Sequence, residues 1–176
     1  MSGGYKFDRL RVLIVDDNQH MRKLMVAIVS AFGCKEVLEA ETAAQGWRMF
    51  QEHKPDVVFL DWVLGNGPIG IELARHIRNA PDSYNPFIPI VMLTGHTRLE
   101  NVRMARDAGV TEFLAKPVSA EQVLKRLVSI IEAPRPFVRT KTYFGPDRRR
   151  NRREDCVGPE RRAEPQKSAP PAARRA

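Results

Sequence analysis

Three wholly apolar runs punctuate the chain, each closed by polar or charged residues: Val12-Leu13-Ile14-Val15, Val57-Val58-Phe59-Leu60 and Ile90-Val91-Met92-Leu93. Such short runs, rich in β-branched and aromatic residues, predict strands buried on both faces. Thr111 to Ala115 reads as a further strand and Glu36 to Ala40 as a weaker one. Between the strands, apolar residues recur at spacings of three and four, the period of a helix with one buried face. Met21, Leu24, Met25, Ile28, Val29 and Phe32 form the first such set, and Ala43, Trp47 and Phe50 the second. Ile71, Leu73, Ala74 and Ile77 form the third, and a fourth helix runs from about Arg98 to Ala108. Val123, Leu124, Leu127, Val128 and Ile131 form the fifth. Gly33 and Gly109 stand where helices stop, Thr42 where one starts, and Ser119 with Gln122 makes a capping box. Five strand–helix units in strict alternation predict an α/β fold with a parallel sheet covered on both faces.

That topology gives the polar residues after the strands their meaning. In an open parallel sheet, ligands bind beyond the carboxyl ends of the strands. Asp16-Asp17, Asp61, Thr94 and Lys116 each follow a strand, so all are expected on one edge. Crowded carboxylates repel, and a divalent cation or the Lys116 ammonium relieves the repulsion. An all-oxygen site with few protein ligands suits Mg²⁺, with Mn²⁺ able to substitute, and such a site fits phosphoryl transfer. An Asp carboxylate is a competent nucleophile for it, and Thr94 is placed to hydrogen-bond a phosphoryl oxygen.

Taken singly, each residue has a plainer reading. Asp16 and Asp17 are ordinary helix caps, Thr94 an ordinary turn residue and Lys116-Pro117 an ordinary turn. Taken together, the order Asp-Asp, Asp, Thr, Lys-Pro resembles the receiver domain of two-component response regulators, over roughly residues 9 to 132. The resemblance implies a flavodoxin-like, doubly wound sheet of order 2-1-3-4-5 with five helices. It implies that Asp61 accepts a phosphoryl group from a histidine kinase or a histidine phosphotransfer protein. It implies Mg²⁺ on Asp17, Asp61 and the backbone carbonyl of Val63, with Asp16 assisting through water. Lys116 then pairs with the carboxylate and the phosphoryl group, Thr94, Phe113 and Pro117 form the conformational switch, and a cis bond precedes Pro117. No enzymatic activity is expected beyond the chain's own phosphorylation and dephosphorylation. Two departures stand out. The loop after Asp61 is one residue longer than the family's usual loop, with Gly65 in place of the common Pro and the matching Gly70 nine residues on. Phe113 also lacks the hydroxyl of the commoner Tyr.

Charge divides the chain. The net charge of +8 lies wholly in residues 134–176, which hold 13 basic and 5 acidic residues and 7 of the 13 prolines. A basic, Pro-rich segment of this kind predicts a disordered tail over residues 133–176, after an extension over 1–8 and the receiver over 9–132. Phe137 to Phe144 is its one apolar foothold for docking on the receiver. Gly145-Pro-Asp-Arg-Arg recurs as Gly158-Pro-Glu-Arg-Arg, and five arginines stand between Arg148 and Arg153. Three readings fit: a solubilising tail, a nucleic-acid-binding effector controlled by the receiver, or a site for an anionic protein or lipid. Cys34 and Cys156 allow no disulfide framework or metal-type spacing, and no run is long enough to span a bilayer. The expected setting is the cytoplasm, and the expected role that of a stand-alone response regulator acting through protein contacts with a downstream partner.

Overall fold

In the computed structural model, residues 7–67, 69–95 and 99–147 are described. Pro68, His96, Arg98, the arginine run from Arg148 and the second Gly-Pro-Glu-Arg-Arg copy lie outside them. The elements are β1 (Arg11–Val15), α1 (Gln19–Ala31), β2 (Glu36–Ala40), α2 (Ala43–His53), β3 (Val57–Asp61), α3 (Ile69–Asn79), β4 (Ile90–Thr94), α4 (Leu99–Asp107), β5 (Glu112–Ala115) and α5 (Ala120–Glu132). A short hairpin follows, β6 (Phe137–Arg139) and β7 (Phe144–Pro146). The first five strands form one parallel sheet in the order β2-β1-β3-β4-β5.

The continuous apolar runs serve both faces of that sheet, because side chains alternate along a strand. Leu13, Val15, Val58, Leu60, Ile90 and Met92 face the core beneath α2 and α3. Val12, Ile14, Val57, Phe59, Val91 and Leu93 face the core beneath α1 and α5. Each fully buried side chain of this size stabilises the fold by roughly 1.5–3 kcal/mol. The cap residues act as the sequence implies. Thr42 accepts from the Gln45 amide, and Ser119 and Gln122 form a reciprocal capping box. The buried Glu112 pairs with Arg126 at 3.2 Å, tying β5 to α5.

Four expectations need correction. Leu24 is 43% exposed and Ile131 48%, because the buried stripes of α1 and α5 narrow to Met25, Ile28 and Val29 and to Val123 and Leu127. Phe7, expected in an extension over residues 1–8, is buried against Phe32 and belongs to the core. The ordered chain does not stop at residue 132 either. Residues 133–147, expected to begin a disordered tail, continue into the β6–β7 hairpin.

The hairpin is held by a physical trap for an arginine. Arg78, at the end of α3, is 1% exposed. Its guanidinium donates to the carbonyls of Gly109 (2.9 Å) and Pro86 (2.9 Å), and Phe137 lies over it at 5.1 Å. Burial pulls its pKa down to about 9. Phe137 and Phe144 close on Phe87 with ring centroids 5.3 Å away in each case. Gly145 lies against Gly109, where a Cβ would come within 2.8 Å of the Gly109 Cα. Arg135 fastens the other side, donating to the carbonyls of Thr111 (3.1 Å) and Asp147. The foothold seen in the sequence is thus a docked element, seated where α3, the α4–β5 turn and the start of β5 meet.

Candidate functional site

β1 and β3 are neighbours in the sheet, so Asp16 and Asp61 emerge side by side at its carboxyl edge. Lys116 follows β5, and its Nζ lies 3.0 Å from Asp16 Oδ2 and 2.9 Å from Asp61 Oδ1. One ammonium therefore bridges two carboxylates, both of them buried. Asp17 is exposed beside them, and its Oδ2 accepts from the Gly65 amide at 2.9 Å. Thr94 ends β4, is buried, and its carbonyl accepts from the Lys116 amide at 2.9 Å. Phe113 is half-buried in β5, opposite Met92, and packs on the α2–α3 core. The Lys116–Pro117 peptide is cis.

Electrostatics sharpen the arrangement. Desolvation raises the Asp61 pKa above 3.8, Lys116 opposes it, and the Asp16 charge adds to it. Burial alone would lower the Lys116 ammonium, but the hydrogen bonds and charges of Asp61 and Asp16 outweigh that and raise it above 10.5. Three carboxylates face one shared cation, so the edge still asks for positive charge.

The carboxylates fit a divalent ion. One oxygen from each of Asp16, Asp17 and Asp61 lies within 4.8 Å of the others. Ligand oxygens about 2.1 Å from one Mg²⁺ stand roughly 3 to 4.2 Å apart, so small side-chain rotations close the set. Asp16 is the least available of the three. Its Oδ1 accepts from the Asn18 amide (2.8 Å) and its Oδ2 from Lys116.

Three supporting residues were not legible as site residues in the sequence. Arg22 donates from one nitrogen to the carbonyls of Asp16 (2.7 Å) and Asp17 (3.2 Å), and approaches Glu39 and Glu41. A basic pair, Arg22-Lys23, one turn into a helix that follows two aspartates is the only signal it left. Asn18, the N-cap of α1, accepts from the amides of His20 and Met21 and so sets the turn after Asp17. Gly70 owes its place after β3 to space. A Cβ there would lie 1.8 Å from the Asp61 carbonyl oxygen, so only glycine lets α3 start against the end of β3. The longer loop is taken up by a bridge between Leu64 and Gly67. Beside it a groove of about 470 Å³, lined by Asp17, Ala43, Leu64 and Ile69 among others, opens next to the carboxylates.

With this geometry in hand, comparison with known proteins gives a single answer. The family described as the response regulator receiver domain matches residues 12–128. The chemotaxis protein CheY1 of Helicobacter pylori is 31% identical over 123 residues, covering 69% of this chain and 96% of that one. The phosphate regulon transcriptional regulatory protein PhoB of Pseudomonas aeruginosa is 34% identical over 125 residues, 71% of this chain but 53% of that one. The chain thus spans about half the length of PhoB. A CheY-like receiver domain from Methanospirillum hungatei superposes with a TM-score of 0.62 at 26% identity, covering 70% of this chain and 94% of that one. The chain belongs to the response regulator receiver family. Its sheet has the flavodoxin-like order, and its place is in two-component phosphorelay signalling. No described helix is long and apolar enough to cross a membrane.

Proposed function

We propose that the chain is a response regulator that accepts a phosphoryl group on Asp61 and signals through phosphorylation-dependent protein contacts. The observation that carries the reading is Lys116 bridging Asp16 and Asp61 while an Asp17 carboxylate oxygen lies within 4.8 Å of theirs. Asp17, Asp61 and the Val63 carbonyl would hold Mg²⁺, with Asp16 assisting through water. The ion supplies charge neutralisation at the phosphoryl oxygens. The remaining work belongs to the chain. A carboxylate oxygen of Asp61 attacks phosphorus as the bond to the donor's histidine nitrogen breaks, and the imidazole leaves to take up a proton from water. Lys116 is held where it can follow the charge from the carboxylate to the phosphoryl oxygens. Thr94, one residue beyond the position paired with Asp61, offers a hydroxyl at the same edge.

The donor is a histidine kinase or histidine phosphotransfer protein in the cytoplasm, and the chain catalyses only its own phosphorylation and dephosphorylation. Capture experiments test the output. Proteins retained by the chain after acetyl phosphate and Mg²⁺ treatment, and lost with Asp61→Asn, support it. An identical set on both forms contradicts signalling by phosphorylation.

A further inference from the structure

Asp17 is the least secured of the three carboxylates at the edge. Asp16 is buried, with one oxygen on the Asn18 amide and the other on Lys116. Asp61 is buried and held by the same ammonium. Asp17 is exposed, and among the described residues its side chain has one hydrogen bond, from the Gly65 amide at 2.9 Å. Where it points therefore depends on its own backbone, and Arg22 holds that backbone. Arg22 stands one turn into α1, its amide on the Asn18 carbonyl at 3.0 Å, and a helical side chain there leans back over the preceding turn. Its Nη1 donates to the carbonyls of Asp16 (2.7 Å) and Asp17 (3.2 Å). On its other sides, Nε lies 3.6 Å from Glu39 and Nη2 3.7 Å from Glu41. All three guanidinium nitrogens are engaged, and the side chain is only 12% exposed. A rigid planar fork in that position braces the turn after β1 against the end of β2.

We propose that Arg22 is a positioning residue for the divalent ion: by fixing the two carbonyls of Asp16 and Asp17 it presents the Asp17 carboxylate, and so sets the affinity for Mg²⁺. The inference rests on the reading of this edge as a Mg²⁺-dependent phosphoacceptor site. Charge alone would act in the opposite direction, because a cation beside crowded carboxylates repels a second cation. Glu39 and Glu41 offset that repulsion, since two negative charges face the one on Arg22. What remains is geometry. Partners that orient a metal ligand from behind are typically worth 10–100-fold in affinity.

The test is a Mg²⁺ titration of the full chain followed by tryptophan fluorescence, Trp62 being the residue after Asp61. Arg22→Met keeps the apolar stem and loses every donor, and it should raise the Mg²⁺ dissociation constant roughly 10-fold. Arg22→Lys restores a donor for the two carbonyls and should recover part of that loss. The Mg²⁺ concentration giving half-maximal phosphorylation by acetyl phosphate should rise in step in Arg22→Met, while the rate at saturating Mg²⁺ stays that of the parent. A dissociation constant in Arg22→Met equal to or below the parent's would overturn the positioning role and leave the metal site standing. So would Arg22→Lys binding as weakly as Arg22→Met, or an Arg22→Met chain that has lost its fold in EDTA, which would make the residue structural. A parent chain that binds no Mg²⁺ would overturn the metal reading and the positioning role together.

Discussion

Lys116 sits where two buried carboxylates need it, and the balance of the three groups makes Asp61 costly to ionise. A folded-state pKa raised above 3.8 means that the folded chain holds this proton more tightly than the unfolded chain does. Stability then falls as pH rises from 3.8 through the raised value. Asp61→Asn removes the burden, so in EDTA at pH 7 it should melt at a higher temperature than the parent. The gap should narrow towards pH 3.8, and an Asn variant that melts lower would contradict the balance. Lys116 has the opposite sign: its raised pKa contributes stability throughout the neutral range, lost only as pH climbs past 10.5 through the folded value. At Gly70 the issue is space. Gly70→Ala sets a methyl against the Asp61 carbonyl and should cost about 1–3 kcal/mol in chemical denaturation while displacing Asp61.

Among elements, the parallel strands were the most legible in the sequence, because a run such as Val57 to Leu60 has no other use for so many β-branched and aromatic side chains. The strand-end residues were legible as a site because topology brings them together. What the sequence hid was pairwise. The Arg22 contacts and the fit of Gly70 depend on how the turns after β1 and β3 fold back, and the trap around Arg78 on residues as far along the chain as Gly109 and Phe137. The hairpin was hidden for another reason: its few aromatics are diluted by prolines and arginines, so composition argued against order. Phe144→Ala should therefore unseat β6–β7 and cost on the order of 3 kcal/mol, read from the urea midpoint. The proposed switch through Thr94 and Phe113 belongs at this scale too. The phosphoryl group can move α4, β5 and α5 only by binding one arrangement better than another. Amide exchange around Phe113 should change with a phosphoryl mimic and lose that response in Thr94→Ala. Equal exchange in all forms would place the signal elsewhere.

Across the whole molecule, the boundary of the folded unit lies past the receiver match. Deleting residues 148–176 should leave the melting temperature unchanged, whereas deleting 134–176 should lower it by exposing Phe87 and Arg78. Binding linkage tests the metal at the same scale. Mg²⁺ at 100 times its dissociation constant stabilises a folded chain by about 2.7 kcal/mol, and Asp17→Ala should abolish most of that gain. The central claim is that the assembled edge makes Asp61 the phosphoacceptor. Its most direct test is intact-mass spectrometry after acetyl phosphate and Mg²⁺, with hydroxylamine or borohydride mapping of the modified residue. The account predicts one base-labile phosphoryl group on Asp61, absent in Asp61→Asn and without Mg²⁺. Undiminished labelling in Asp61→Asn would contradict it.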